Sequence, residues 1–128
     1  MNNGLRKIEL LAPAKNLECG IAAIDHGADA VYIGAAQFGA RQTAGNSTED
    51  IAELTRYAHQ FGAAVYVTVN TIVYEKELQA LEHLLRQLVE MGVDAILVQD
   101  MAVLEIYKKL KAEYMMRGYR MPALHAST

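Results

Sequence analysis

The segment Gly27-Ala28-Asp29-Ala30-Val31-Tyr32-Ile33 returns later in the chain as Gly92-Val93-Asp94-Ala95-Ile96-Leu97-Val98. A looser copy, Gly62-Ala63-Ala64-Val65-Tyr66-Val67, lies between them. The glycines fall thirty-five and then thirty residues apart, the length of one strand, one helix and their links. Each copy reads as a helix end, a glycine where positive φ is needed, a short link and a buried strand. A chain built on this unit is constrained to alternate helix and strand.

The remaining pattern agrees. Apolar residues recur at helical spacing in four stripes: Leu17, Ile21 and Ile24; Ile51, Leu54, Ala58 and Phe61; Leu78, Leu81, Leu85, Leu88 and Met91; Val103, Ile106, Leu110 and Tyr114. Asn16 and Ser47 are the predicted N-caps of the first two helices, and Asp50 completes a near capping box with Ser47. Strands are predicted at 8–12 (closed by Pro13), 30–33 (closed by Gly34), 64–69, 95–98 and 121–126. They are apolar on both faces, which fits a covered parallel sheet better than half-exposed antiparallel strands. The order is therefore βαβαβαβαβ, an α/β fold with right-handed crossovers.

Periodicity alone leaves two architectures open, an arc of a TIM-type (β/α)8 barrel and a flavodoxin-like open sheet. A barrel takes about 250 residues, and these 128 supply about four and a half βα units. The chain is thus either a self-contained five-stranded sheet or half of a barrel. An arc would carry two unpaired edges and an uncovered apolar inner face, both of which invite association. A homo-oligomer formed through the open edges is expected.

Composition removes several function classes. Hydrophobic residues make up 52% and charged residues 21%, with mean hydropathy +0.05, so residues 1–128 are expected to fold as a single domain. A net charge of −3 argues against nucleic-acid binding through the overall field, though not against a local basic patch. One cysteine, Cys19, cannot form an intrachain disulfide, a zinc ribbon or a four-cysteine iron–sulfur site. No apolar run approaches the roughly 18 to 20 residues of a membrane span. The stretch from Met1 to Lys7 lacks the apolar core of a signal peptide. A reducing, cytoplasmic setting with no membrane is expected.

Glu9-Leu10-Leu11-Ala12-Pro13-Ala14, followed by Gly27-Ala28-Asp29-Ala30-Val31-Tyr32-Ile33-Gly34, resembles the opening of the collagenase-like peptidase family, whose mechanism is unassigned. Further matches follow in order: Phe38, Arg41, Ala44 and Asn46; Val67-Thr68-Val69-Asn70; Val98-Gln99-Asp100; and Leu124-His125-Ala126-Ser127-Thr128. The resemblance runs from about Ile8 to Thr128 and implies the first half of a TIM-type barrel. It also implies that the complete protein carries further cysteines, in some members around an iron–sulfur cluster. Neither those positions nor a matching ligand set occurs here, so no cofactor is expected in this chain. The family is named for peptide hydrolysis, yet several members are implicated in hydroxylating RNA bases or a quinone ring.

In a barrel the chemistry sits at the C-terminal ends of the strands. Those ends supply Pro13, Ala14 and Lys15; Gly34, Gln37 and Arg41; Asn70; Gln99 and Asp100; and His125, Ser127 and Thr128. Arg41, Asn70, Gln99, Asp100, His125 and Ser127 are the candidate substrate-binding residues, a set suited to an anionic or hydrogen-bonding ligand. Each has an ordinary structural reading beside it. Asp100 fits a helix N-cap, Asn70 a turn, His125 a satisfied core histidine and Arg41 a solvated loop residue. Glu9 must either find a partner inside the barrel or reach solvent. Catalytic residues are not assigned. His-Glu-x-x-His and Gly-x-Ser-x-Gly are both absent. Asp100, His125 and Ser127 could be written as a triad, but nothing in the sequence sets their geometry.

The reading expected from these residues is part of an iron–sulfur-dependent, RNA-modifying hydroxylase, inactive as this chain alone. The alternatives are peptide-bond hydrolysis and a non-catalytic binding or assembly module.

Overall fold

The computed structural model describes residues 9–36, 45–69 and 77–126. Five strands alternate with four helices: β1 (Leu11–Ala14), α1 (Leu17–Asp25), β2 (Ala30–Gly34), α2 (Thr48–Gln60), β3 (Ala64–Val69), α3 (Leu78–Met91), β4 (Ala95–Val98), α4 (Met101–Met116) and β5 (Ala123–Ala126). All strand pairs are parallel, and the sheet order is β1-β2-β3-β4-β5. A flavodoxin-like sheet would place β2 outside β1. Sequential order, with each helix packed on the next, is consistent with half of a barrel.

Among the described residues the helices cover one sheet face. Parallel partners share a face, so the register sorts the side chains into two sets. Val31, Ile33, Val65, Val67, Val69 and Ile96 point to the helices and are buried. They meet Ile51, Leu54, Leu81, Leu85, Leu88, Val103, Leu110 and Tyr114 in one core. Each such side chain contributes about 1.5–3 kcal/mol by leaving water. The opposite set, Leu11, Pro13, Tyr32, Tyr66, Thr68, Leu97 and His125, has no helix over it among the described residues. Leu11 is 45% exposed and Tyr32 36%, so this is the uncovered inner face that an arc requires.

The repeat has a structural cause at the start of the strands. Asp29 accepts a hydrogen bond from the Leu10 backbone N–H through Oδ2 at 2.8 Å, and Asp94 accepts one from Val65 N–H at 2.8 Å. Each aspartate also donates its own N–H to the carbonyl of that same residue. The motif therefore pins the head of the preceding strand in the sheet (β1 for Asp29, β3 for Asp94). In the third copy Ala64 has only its backbone, and its N–H bonds to Asp29 O at 2.9 Å. Gly27, Gly62 and Gly92 adopt positive φ after helix ends, as predicted.

The caps also agree with the sequence reading. Asn16 Oδ1 accepts from Cys19 N–H at 2.9 Å, and Ser47 Oγ accepts from Asp50 N–H at 3.1 Å. Gly20 lets α1 approach α2, since a Cβ there would stand 2.7 Å from Leu54 Cδ1. Arg86 joins α3 to α4 by bonding Glu82 within its own helix at 2.9 Å and Glu113 across at 2.6 Å.

Three sequence expectations are corrected. Pro13 does not end β1; the strand begins at Leu11 and runs through Pro13 to Ala14. Leu10 bonds toward β2, so alternate residues Leu11 and Pro13 turn their backbone outward, where a missing N–H breaks no ladder bond. Phe61 is not part of the buried α2 stripe. It follows the helix at its C-cap, is 64% exposed and lies against the Tyr57 ring with centroids 5.0 Å apart. β5 begins at Ala123 rather than Met121, because Pro122 instead presents its carbonyl to the Tyr107 hydroxyl at 2.6 Å.

Candidate functional site

The C-terminal ends of β1, β2 and β3 enclose a cleft of about 470 Å³ lined by Pro13, Ala14, Lys15, Cys19, Tyr32, Gly34 and Thr68. Asn46 builds its rim. The Asn46 side-chain amide donates to Gly34 O at 3.0 Å and to Lys15 O at 3.2 Å. The Asn46 backbone N–H also donates to Gly34 O at 3.0 Å, and its carbonyl accepts from Ala36 N–H at 3.1 Å. One residue thus holds the exits of β1 and β2 together just before α2 begins. Gly45 prepares that turn. Its φ is +92°, and a Cβ there would fall 2.2 Å from Ala35 O, so no other residue fits.

The floor continues onto the uncovered sheet face as an aromatic row. Tyr32 and Tyr66 are register partners, and the Tyr66 ring meets the His125 ring edge-on with centroids 5.6 Å apart. The Tyr66 hydroxyl donates to Glu9 Oε2 at 3.2 Å. Partial burial and the Glu9 carboxylate hold that phenol above its ordinary pKa, so it stays protonated and remains a donor. Glu9 is exposed, so it reaches solvent as well as this hydroxyl. A second groove, of about 530 Å³, lies between α2 and α3 and is lined by Arg56, His59 and Met91. It is on the helical side, away from the strand ends.

The predicted site residues divide into three groups. His125 is exposed on the inner face, two residues past the head of β5, and is not a core histidine. Asp100 caps α4, its Oδ1 accepting from Ala102 N–H at 2.8 Å, which is its ordinary structural role. Gln99 is exposed directly after β4. Arg41, Asn70 and Ser127 lie outside the described residues, as does Gln37. The sequence reading gave no site role to Tyr32, Tyr66 or Thr68. Their common face follows from the two-residue period of a strand, once the helix-facing set is identified from burial.

The residues present do not fit an iron–sulfur cluster. Cys19 is exposed in the first turn of α1, and it is the chain's one cysteine. Among the described residues no group of three or more His, Cys, Asp and Glu side chains could hold a metal ion. Among them, too, no helix is long and apolar enough to cross a membrane.

The model of peptidase family U32 matches residues 15–118. Three relatives show how far the likeness extends. The 23S rRNA 5-hydroxycytidine C2501 synthase of Escherichia coli is 51% identical over 100 residues, covering 78% of this chain and 15% of the relative. A tRNA hydroxylation protein, P1, of Bacillus subtilis is 41% identical, covering 82% of this chain and 25% of the relative. An uncharacterized protease of Methanocaldococcus jannaschii is 40% identical, covering 80% and 26%. The chain spans a quarter or less of the length of the first two relatives and 26% of the third. With most of its length inside one family model, the chain belongs to peptidase family U32.

Proposed function

We propose that this chain forms the substrate-facing first half of a TIM-type barrel in an enzyme that hydroxylates RNA. The observation that carries the reading is the 51% identity to an rRNA hydroxycytidine synthase. The cleft at the strand ends, with Lys15 and Thr68 in its lining, supports it, since chemistry in barrels collects there. RNA is the proposed partner and the cytoplasm the proposed compartment. The iron–sulfur cluster implied by the family resemblance would be held by residues other than these 128, and no step is assigned to it.

The test is genetic and chemical. The gene is deleted in its own host, and the nucleosides of rRNA and tRNA are compared by mass spectrometry. Loss of one hydroxylated nucleoside, restored by the gene, is the expected result; an unchanged nucleoside profile overturns the proposal. The purified 128-residue chain is expected to turn over neither RNA nor peptide. Turnover abolished by His125→Ala would refute that.

Peptide-bond hydrolysis is the second reading, favoured by the M. jannaschii relative's name. Among the described residues, the uncovered face and the unpaired side of β5 support self-association of this chain. Light scattering is expected to return a multiple of 14.1 kDa, and a monomer would count against that reading.

A further inference from the structure

The cleft over β1, β2 and β3 gathers polar groups that make no hydrogen bond or ion pair with the rest of the described residues. The hydroxyls of Tyr57, Tyr66, Tyr107 and Tyr114 are engaged by Asp25, Glu9, the Pro122 carbonyl and Glu90. Arg86, Lys109, Arg117 and Arg120 pair with carboxylates. Among the described residues, Arg56, Lys111 and the Tyr119 hydroxyl also lack such a partner, but the Lys15 ammonium, the Tyr32 hydroxyl and the Thr68 hydroxyl lack one while lining the same cleft. Gly34 sits beside Thr68, where a Cβ would come within 3.3 Å of Thr68 Oγ1, so glycine leaves that hydroxyl open. Pro13 and Tyr32 are register partners on the uncovered face and together make an apolar wall.

A cation, an aromatic ring and a small hydroxyl around a space of this size match one nucleotide. Single-stranded nucleic acids are held by cations that track phosphates and by rings on which bases stack. From this geometry we infer that the cleft is a nucleotide subsite for single-stranded RNA: Lys15 takes a phosphate, Tyr32 packs on a base and Thr68 hydrogen-bonds a base edge. The inference rests on the RNA reading above and specifies which residues hold the strand. The −3 net charge is no obstacle, because a local contact rather than the overall field supplies the recognition.

The experiment uses the protein as its gene encodes it, with a fluorescent single-stranded RNA oligonucleotide as probe and anisotropy read across a salt series. Lys15→Ala is expected to weaken binding and reduce the salt slope by about 0.7, one phosphate contact on a single strand. Tyr32→Ala is expected to weaken binding about tenfold at every salt concentration, with the slope unchanged. Thr68→Val keeps the volume and is expected to reduce discrimination between oligonucleotides of different base. All three positions lie off the helix-facing core, and circular dichroism confirms the fold of each variant. If Lys15→Ala and Tyr32→Ala both bind RNA as wild type does, while deletion of the gene still removes a hydroxylated nucleoside, the subsite is wrong and the RNA reading stands. If deletion leaves the nucleosides unchanged and the wild-type protein does not bind RNA, both fall together.

Discussion

Replacing Asp94 by alanine tests the account of the repeat most directly. The Asp94 side chain is 20% exposed and accepts three hydrogen bonds. Val65 N–H and His59 Nε2 each lie 2.8 Å from Oδ2, and Arg120 lies 3.2 Å from Oδ1. Losing a charged acceptor from a half-buried backbone N–H costs about 1.5–3 kcal/mol. The pairs with His59 and Arg120 are partly solvated, so each adds at most about 1 kcal/mol. Asp94→Ala is therefore expected to lose about 2–4 kcal/mol. Asp29 occupies the same place in the first copy, is exposed and accepts one bond, from Leu10 N–H. Asp29→Ala is expected to lose about 0.5–1.5 kcal/mol. Urea unfolding followed by circular dichroism measures both. Equal losses, or a loss below about 0.5 kcal/mol for Asp94→Ala, would refute the argument.

The same residue sets a pH dependence. Burial alone would raise the Asp94 pKa, but the bonds from His59 and Val65, the His59 charge and Arg120 outweigh it and hold the carboxyl below its ordinary value. A depressed folded pKa gives stability that is present above the unfolded value, about 3.9, and is lost as pH falls through the folded one. Part of the acid destabilisation below about pH 4 should therefore disappear in Asp94→Ala.

Two further perturbations follow from the packing. Gly45→Ala places a methyl against the Ala35 carbonyl at positive φ and should cost more than about 2 kcal/mol. Gly92→Ala, with positive φ but open space around its Cβ, should cost about 1 kcal/mol; thermal melts that rank the two the other way refute this. Tyr114 is fully buried, with its hydroxyl on Glu90. Tyr114→Ala should lose about 3–5 kcal/mol and Tyr114→Phe about 0.5–1.5 kcal/mol. Chemical unfolding checks both, and equal effects would show that the ring is not what holds α4.

The element order, the caps at Asn16 and Ser47 and the glycines that end helices were legible because each depends on neighbours within a few residues. The helix stripes were legible because burial follows a 3.6-residue period. Pro13 misled because the rule that proline breaks a strand applies to a central strand, and the sequence does not say which strand lies at an edge. Phe61 misled because it follows the helical period by one residue after the helix has ended. The strand-end positions of His125 and Gln99 were readable, since a strand end can be located from its own residues. Asn46 was noticed only as part of the family resemblance. Its bonds to Lys15 and Gly34 reach across 31 and 12 residues, and no local pattern encodes that. The cleft had the same difficulty, because Tyr32 and Thr68 come from two different strands and Lys15 from the link after a third.

Pro13 has a consequence for how this sheet can grow. Along its free side β1 turns outward two carbonyls, of Leu11 and Pro13, but a single N–H, that of Leu11. A strand arriving there must bring more donors than it receives. A second β1 is the worst such mate, because it shares the same deficit. Head-to-head stacking of copies through β1 is therefore self-limiting, and the fibril-like runaway addition that exposed sheet margins invite is discouraged on that side.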